Sequence, residues 1–235
     1  MSRSEHISRQ FDADLEAIRA NVLQMGGLVE GQIKSAVESL VSGNVALMTK
    51  VIAEDHRVNA MEVKIDEACS QVIARRQPAA GDLRLVMAVI KTITDLERIG
   101  DEAEKIARMA KLLSKKQNPT MPRFQEIKHA AELALDMLRK SLDSFARLDV
   151  MMAAQVVRQD DQVDEEFRAI MRYLITFMME DPRTISTSLE ILFVAKAIER
   201  IGDHAKNMAE YVIYMVKGRD VRHITVDEID KELQQ

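Results

Sequence analysis

Residues that interrupt helices or favour strands are scarce in this sequence. Among 235 residues there are four prolines, eight glycines and no tryptophan, and aromatic residues make up only 4%. Strong helix formers such as alanine, leucine, glutamate and lysine are abundant instead. The composition therefore predicts an all-α protein, with enough hydrophobic residues (47%) to build a core.

Other absences restrict the function. The net charge is −5 and no long basic stripe is present, which argues against direct binding of nucleic acid. The most apolar run, residues 189–198, is too short and too charged to span a bilayer, and no targeting segment is visible. The single cysteine, Cys69, cannot form an internal disulfide, which fits a reducing compartment. We therefore predict a cytoplasmic protein that does not insert into the membrane, although it can dock onto a membrane complex.

The few residues that interrupt helices divide the chain into six long helices. The predicted helices span about residues 6–40, 46–75, 83–114, 123–147, 150–179 and 185–217. Asp82 is the candidate N-cap of the third helix. Residues 115–122 contain two prolines and are the best candidate for a linker between two halves.

The two halves repeat each other. LERIGDEAEKIAR begins at Leu96 and IERIGDHAKNMAE begins at Ile198, so the letters ERIGD recur 102 residues apart. Upstream, DHRVN at Asp55 matches DDQVD at Asp160, with an offset of 105 residues. Both ERIGD segments carry apolar residues at the i, i+3, i+4, i+7 spacing of a helix with one buried face. The pattern predicts two tandem three-helix bundles, residues 1–117 and 118–235, related by duplication.

The repeated segments place oxygen-bearing side chains in pairs. Residues four apart share one face of a helix. Four such pairs occur: Glu97/Asp101, Glu199/Asp203, Asp55/Asn59 and Asp160/Asp164. Oxygen ligands on rigid helices suit hard cations such as Mg²⁺ or Mn²⁺, and also iron. We therefore expect two helices of each bundle to present these side chains to a shared metal ion.

A purely structural explanation is also open. The acids would then pair with cations nearby in the sequence, as charged surface runs usually do; the candidates are Arg98, Arg200, Lys105 and Lys206. The glycines of the motif, Gly100 and Gly202, would let a neighbouring helix approach closely. Close approach would also serve a metal site between helices, so the sequence does not separate the two explanations.

The doubled ERIGD motif, the D-x-x-V-[DN] segments and the six-helix plan resemble the PhoU family of bacterial phosphate-specific transport accessory proteins. The resemblance covers essentially the whole chain. It implies acidic motifs that hold metal ions (Mg, Mn, Fe or Zn), sometimes as multinuclear clusters. It also implies a homodimeric regulator without enzymatic activity that represses the phosphate-starvation response. Such a regulator connects the ATPase of a phosphate ABC transporter to a membrane sensor histidine kinase.

The resemblance assigns the eight paired residues above as the metal sites, and it exposes differences between the halves. Asn59 stands where the second half has Asp164, and a neutral amide predicts weaker metal binding in the first half. Beside Asp203, His204 and Asn207 follow the family pattern. The first half has Glu102 and Lys105 at those positions.

Two other functions compete with this one. A carboxylate-bridged di-metal enzyme needs Glu-x-x-His on two helices, and only Glu126-x-x-His129 has that spacing. A metal-free helical scaffold remains an alternative, in which some of the 15 methionines form an adaptable docking surface rather than filling the core. Hydrolase or kinase chemistry is not expected, because the sequence has no G-x-S-x-G motif and no P-loop.

Overall fold

The computed structural model describes residues 9–115, 124–221 and 228. Within these ranges the chain forms seven α-helices, one 3₁₀ turn (Pro182–Thr184) and no β-strand. The α-helices are α1 (Arg9–Ser42), α2 (Val45–Glu54), α3 (His56–Arg76), α4 (Ala80–Leu113), α5 (Phe124–Arg147), α6 (Val150–Glu180) and α7 (Ile185–Lys217). The predicted all-helical plan is confirmed, and none of these helices has the length and apolar composition needed to cross a bilayer.

The second predicted helix is interrupted at Asp55, which separates α2 from α3. Asp55 keeps helical backbone angles, but its carbonyl accepts a hydrogen bond from the amide of Val58, only three residues later, at 2.9 Å. Such a bond tightens one turn of the helix. The buried carboxylate of Asp55 also accepts a hydrogen bond from Gln32 of α1 at 3.4 Å, which ties the turn to the neighbouring helix. The prediction of one continuous helix was therefore wrong at this residue.

Asp82 is not the N-cap of α4, so that prediction was also wrong. Gln77 has a left-handed backbone (φ 46°) and ends α3, and the extended residue Ala79 precedes the first residue of α4, Ala80. No side chain caps this helix start. Asp82 lies in the first turn, where its negative charge interacts favourably with the helix dipole.

The turn predicted at residues 148–149 is confirmed. Leu148 has a left-handed backbone (φ 54°), and the Asp149 side chain accepts hydrogen bonds from the amides of Met151 and Met152, both at 3.0 Å. This cap fixes the start of α6. The predicted helix start near residue 6, most of the predicted linker and the boundary at 117/118 lie outside the described residues.

The two halves share one core. Buried apolar side chains from all seven α-helices form a continuous cluster. At the junction α4 packs along α7, and α1 packs against α5. The first pair is antiparallel, because Glu102 of α4 contacts Arg200 of α7, whereas the earlier Asp95 contacts the later His204. Each ERIGD motif therefore lies in the middle of the helix pair that joins the halves.

Candidate functional site

The predicted oxygen-bearing residues come together at one helix contact in each half. They are Asp55 at the α2–α3 break, Asn59 on α3, Glu97 and Asp101 on α4, Asp160 and Asp164 on α6, and Glu199 and Asp203 on α7. Helix α4 packs on α2 and α3, and α7 packs on α6. The first four residues are called the first-half cluster, and the last four the second-half cluster.

The glycine of each motif sets how closely the helices approach. A Cβ atom added to Gly100 would lie 3.4 Å from Asp55 Oδ1 and 3.4 Å from Val58 Cγ1. A Cβ atom added to Gly202 would lie 3.4 Å from Cγ1 of Val163, the repeat counterpart of Val58. The close approach predicted for these glycines is therefore present in both halves. In the first half it also brings the Asp55 carboxylate against α4.

The first-half cluster concentrates negative charge, which nearby arginines offset only in part. Burial raises the pKa values of Asp55, Glu97 and Asp101 above their ordinary ranges. Repulsion adds to this, because Asp101 raises the pKa of Glu97 and Asp55 raises that of Asp101. Hydrogen bonds from Gln32 and Asn59, both at 3.4 Å, have the opposite effect on the pKa of Asp55. Within the described part of the chain, no lysine or arginine forms an ion pair with these three carboxylates.

Two further carboxylates act on the first-half cluster and were not predicted. Glu62 raises the pKa of Glu97, and Glu104 raises that of Asp101. Helical spacing was a signal for both, because Glu104 follows Asp101 by three residues and Glu62 follows Asn59 by three.

Cations compensate most of the second-half cluster. Three ion pairs form: Lys206 with Asp160 at 2.7 Å, Arg168 with Asp164 at 2.8 Å, and Lys196 with Glu199. The predicted ion-pair explanation is therefore confirmed for Lys206.

Asp203 is the acid of the second-half cluster whose pKa is clearly raised. Burial is the main cause, with repulsion from Glu199 and Asp160 in addition, and together they raise its pKa to about 6. Lys196 lowers the pKa but does not offset these effects. Each half therefore holds carboxylates whose repulsion a bound cation would relieve.

A buried polar contact joins the two halves beside these clusters. Nδ1 of His204 lies 2.7 Å from Oδ1 of Asp95, and the amide of Asn207 donates to the same oxygen at 3.3 Å. Asp95 is 3% exposed and His204 is 7% exposed. Nε2 of His204 is buried and has no hydrogen-bond partner among the described residues. Sequence reasoning missed Asp95, although a charged residue four positions before Ile99 is unusual on an apolar helix face.

The repeat counterpart of His204 is Glu102, which makes a different contact at the same junction. Glu102 is 4% exposed and forms ion pairs with Arg200 at 2.6 Å and with Lys105 at 3.3 Å. The sequence difference between Glu102/Lys105 and His204/Asn207 therefore gives the α4–α7 contact a salt bridge at one place and a histidine–carboxylate pair at the other.

Comparison with known proteins decides the family. The PhoU domain family matches residues 22–110 and 127–212, two segments that begin 105 residues apart. The chain belongs to the PhoU family. It is 49% identical, over 99% of this chain and 95% of the relative, to the phosphate-specific transport system accessory protein PhoU of Serratia marcescens. It is 47% identical to the protein of the same name from Escherichia coli K12, over 99% of this chain and 96% of the relative.

Solved structures confirm the PhoU fold. The crystal structure of PhoU from Pseudomonas aeruginosa matches with a TM-score of 0.85 and 46% identity, covering 89% of this chain and all of that one. The phosphate transport system regulatory protein PhoU from Streptococcus pneumoniae matches with a TM-score of 0.83 and 26% identity, covering 90% of this chain and 99% of that one.

The metal ions expected at PhoU-family motifs require ligands that converge on one point. Carboxylate and amide oxygens have the right chemistry for a hard cation. Among the residues that the structure describes, however, no group of three or more His, Cys, Asp or Glu side chains is arranged to hold a metal ion. The donors therefore fit in chemistry but not in arrangement, and the assignment of the two clusters as metal sites stays a prediction.

Proposed function

We propose that this PhoU-family chain is a cytoplasmic negative regulator of the phosphate-starvation response and a modulator of phosphate uptake. It acts without catalysis, through protein–protein contacts, and couples a phosphate ABC transporter to a sensor histidine kinase. The observation that supports this function is the identity of 47% and 49%, over nearly the full length, to proteins named phosphate-specific transport system accessory protein PhoU.

A deletion strain tests the regulatory role. The gene is removed, and a reporter under a phosphate-starvation promoter is measured in phosphate-rich and phosphate-poor media. We expect the reporter to be active in both media without the gene, and to be repressed again in rich medium when the full-length chain is supplied from a plasmid. Normal repression in the deletion strain would contradict the proposal.

The proposal includes metal ions, either divalent or iron-type, at the two acidic clusters. Its support is electrostatic, because a cation would relieve the repulsion that raises the pKa values of Glu97, Asp101 and Asp203. In the second-half cluster a cation would also have to displace lysine and arginine side chains. We keep the prediction that the Asn59 half binds more weakly.

Elemental analysis of gently purified protein tests this part. We expect a Glu199→Ala/Asp203→Ala double variant to carry less metal than the wild type. The matched control is Asp161→Ala/Glu165→Ala, because these two exposed acids have the same spacing on α6. Equal metal content in the wild type and the first double variant would contradict the site assignment.

The alternative function is a metal-free helical adaptor. It is favoured by one observation, namely that three of the four acids of the second-half cluster already have Lys or Arg partners. A metal-free wild-type protein that still restores repression would establish this alternative. The proposal further includes a homodimer, which sedimentation of the purified chain at micromolar concentration tests.

A further inference from the structure

A cavity of about 390 Å³ opens between α1 and α3 and shares no residue with either acidic cluster. Its size falls within the range of about 300–1,000 Å³ found for small-molecule sites. The buried side chains of Ile18 and Val72 form an apolar surface, and Ala68 leaves space above them.

The charged groups of this cavity do not balance. Asp14 accepts hydrogen bonds from Arg76 at 3.3 Å and from Gln10 at 3.0 Å, so its charge is compensated. Arg75 also lines the cavity and forms no ion pair with another described residue. One positive charge is therefore left without a partner in the described part of the chain.

Two amide side chains line the same cavity as this charge. Asn21 of α1 and Gln71 of α3 line the cavity, and neither forms a side-chain hydrogen bond with another described residue. An unpaired guanidinium with two neighbouring amides is a set of donors suited to an oxyanion.

The second half provides an internal comparison for this cavity. At the repeat offset of 105 residues, Tyr173 replaces Ala68 and Phe177 replaces Val72. Their rings stack with centroids 6.3 Å apart, and the cavity that Tyr173 lines there is only about 170 Å³. Helix α6 therefore carries bulkier side chains than α3 at these corresponding positions.

The charges near the ends of α3 and α6 are also of opposite sign. Glu180 and Asp181 occupy the positions that correspond to Arg75 and Arg76. Helix α3 thus differs from α6 in two respects that matter to an anion, namely the bulk of its side chains and the sign of its charges.

We infer that the α1–α3 cavity binds a small organic anion. The guanidinium of Arg75 holds its oxyanion group, because the planar fork of arginine matches carboxylate and phosphate geometry. The apolar body of the ligand lies on Ile18 and Val72, in the space that Ala68 leaves. The oxyanion is a phosphomonoester or a carboxylate, and the experiment distinguishes these two.

Titration of the full-length chain with four probes tests the inference, with binding followed by NMR chemical shifts and calorimetry. The probes are phenyl phosphate, benzoate, phenol and inorganic phosphate. We expect phenyl phosphate or benzoate to bind about tenfold or more tightly than phenol, because phenol lacks the charge that Arg75 recognises. Inorganic phosphate should also bind more weakly, because it has no apolar body. Equal affinity for phenol or for inorganic phosphate, or no binding of either aromatic anion at millimolar concentration, would overturn the inference.

Variants that copy residues of the second half into the first locate the site. Ala68→Tyr fills the cavity and Arg75→Glu reverses the charge. Each should lower the affinity for the tighter-binding aromatic anion about tenfold or more. Lys50→Glu on α2 is the matched control, because it makes the same charge change at an exposed position outside the cavity, and it should bind normally. If Ala68→Tyr does not fold, Arg75→Glu and Arg75→Gln still test the site. Binding that survives substitution of Arg75 would contradict the assignment.

Discussion

Replacing Asp203 by asparagine should stabilise the folded chain near neutral pH. In the folded protein, burial and the neighbouring carboxylates Glu199 and Asp160 raise the pKa of Asp203 from 3.8 to about 6. The folded state therefore holds this proton more tightly than the unfolded state does. As the pH rises through the interval from about 4 to 6, the ionised carboxylate costs stability, and above pH 6 the full cost is present.

The size of this effect follows from the pKa difference. A difference of about two units corresponds to about 3 kcal/mol as an upper limit. Asp203 is partly exposed, so solvent screening reduces that limit, and we expect Asp203→Asn to gain about 1–2 kcal/mol at pH 7.5. Near pH 4 the gain should be close to zero, because the carboxyl is then largely protonated in the folded state.

Urea denaturation at low salt, with a chelator present, measures this difference. The free energy of unfolding is compared at pH 7.5 and pH 4 for the wild type, Asp203→Asn and the control Asp161→Asn. Asp161 is an exposed carboxylate on α6, so its replacement should have little effect at either pH. A loss of stability in Asp203→Asn at pH 7.5, or a gain that is the same at both pH values, would refute the electrostatic argument.

Two other predictions concern the junction of the halves, and urea denaturation checks both. A Cβ atom at Gly26 would lie 2.5 Å from Cδ2 of Leu142, so this side chain must move, and Gly26→Ala should leave the chain about 1–3 kcal/mol less stable than Gly27→Ala does. Gly27→Ala is the control, because its Cβ atom would have no neighbour within 4 Å, and it should raise the free energy of unfolding by up to about 1 kcal/mol. Equal effects of the two substitutions would contradict the packing argument. Asp95→Ala removes the partner of the buried His204 and should cost about 1–3 kcal/mol, whereas wild-type stability would show that this contact does not hold the halves together.

The fold was predictable because its signals are local and repeated. Helical periodicity and the offset between the ERIGD motifs predicted the helices and the duplication, and the structure confirms the helices. The break at Asp55 was not predictable, because it coincides with a hydrogen bond from Gln32, which is distant in sequence. The start of α4 was misplaced because Asp82 is a good N-cap residue by type, and local propensity does not reveal that the helix already begins at Ala80.

The proximity of the acids within each half was predictable from the sequence, but their ion pairs were not. Spacing along single helices correctly grouped the acids of each half, because i, i+4 neighbours share a face. It could not show that lysine and arginine side chains form ion pairs with three of the second-half acids and, among the described residues, with none of the first-half carboxylates. The pairing of His204 with Asp95 was missed for a similar reason, because it joins two residues 109 positions apart.

The proposed function requires the chain to contact both a phosphate transporter and a sensor kinase directly. The most direct measurement is the binding of the purified full-length chain to the purified ATPase subunit of the transporter and, separately, to the cytoplasmic part of the kinase, both from the same organism. We expect saturable binding to both proteins. Absence of binding to either partner, with each protein shown to be folded, would contradict the proposed function.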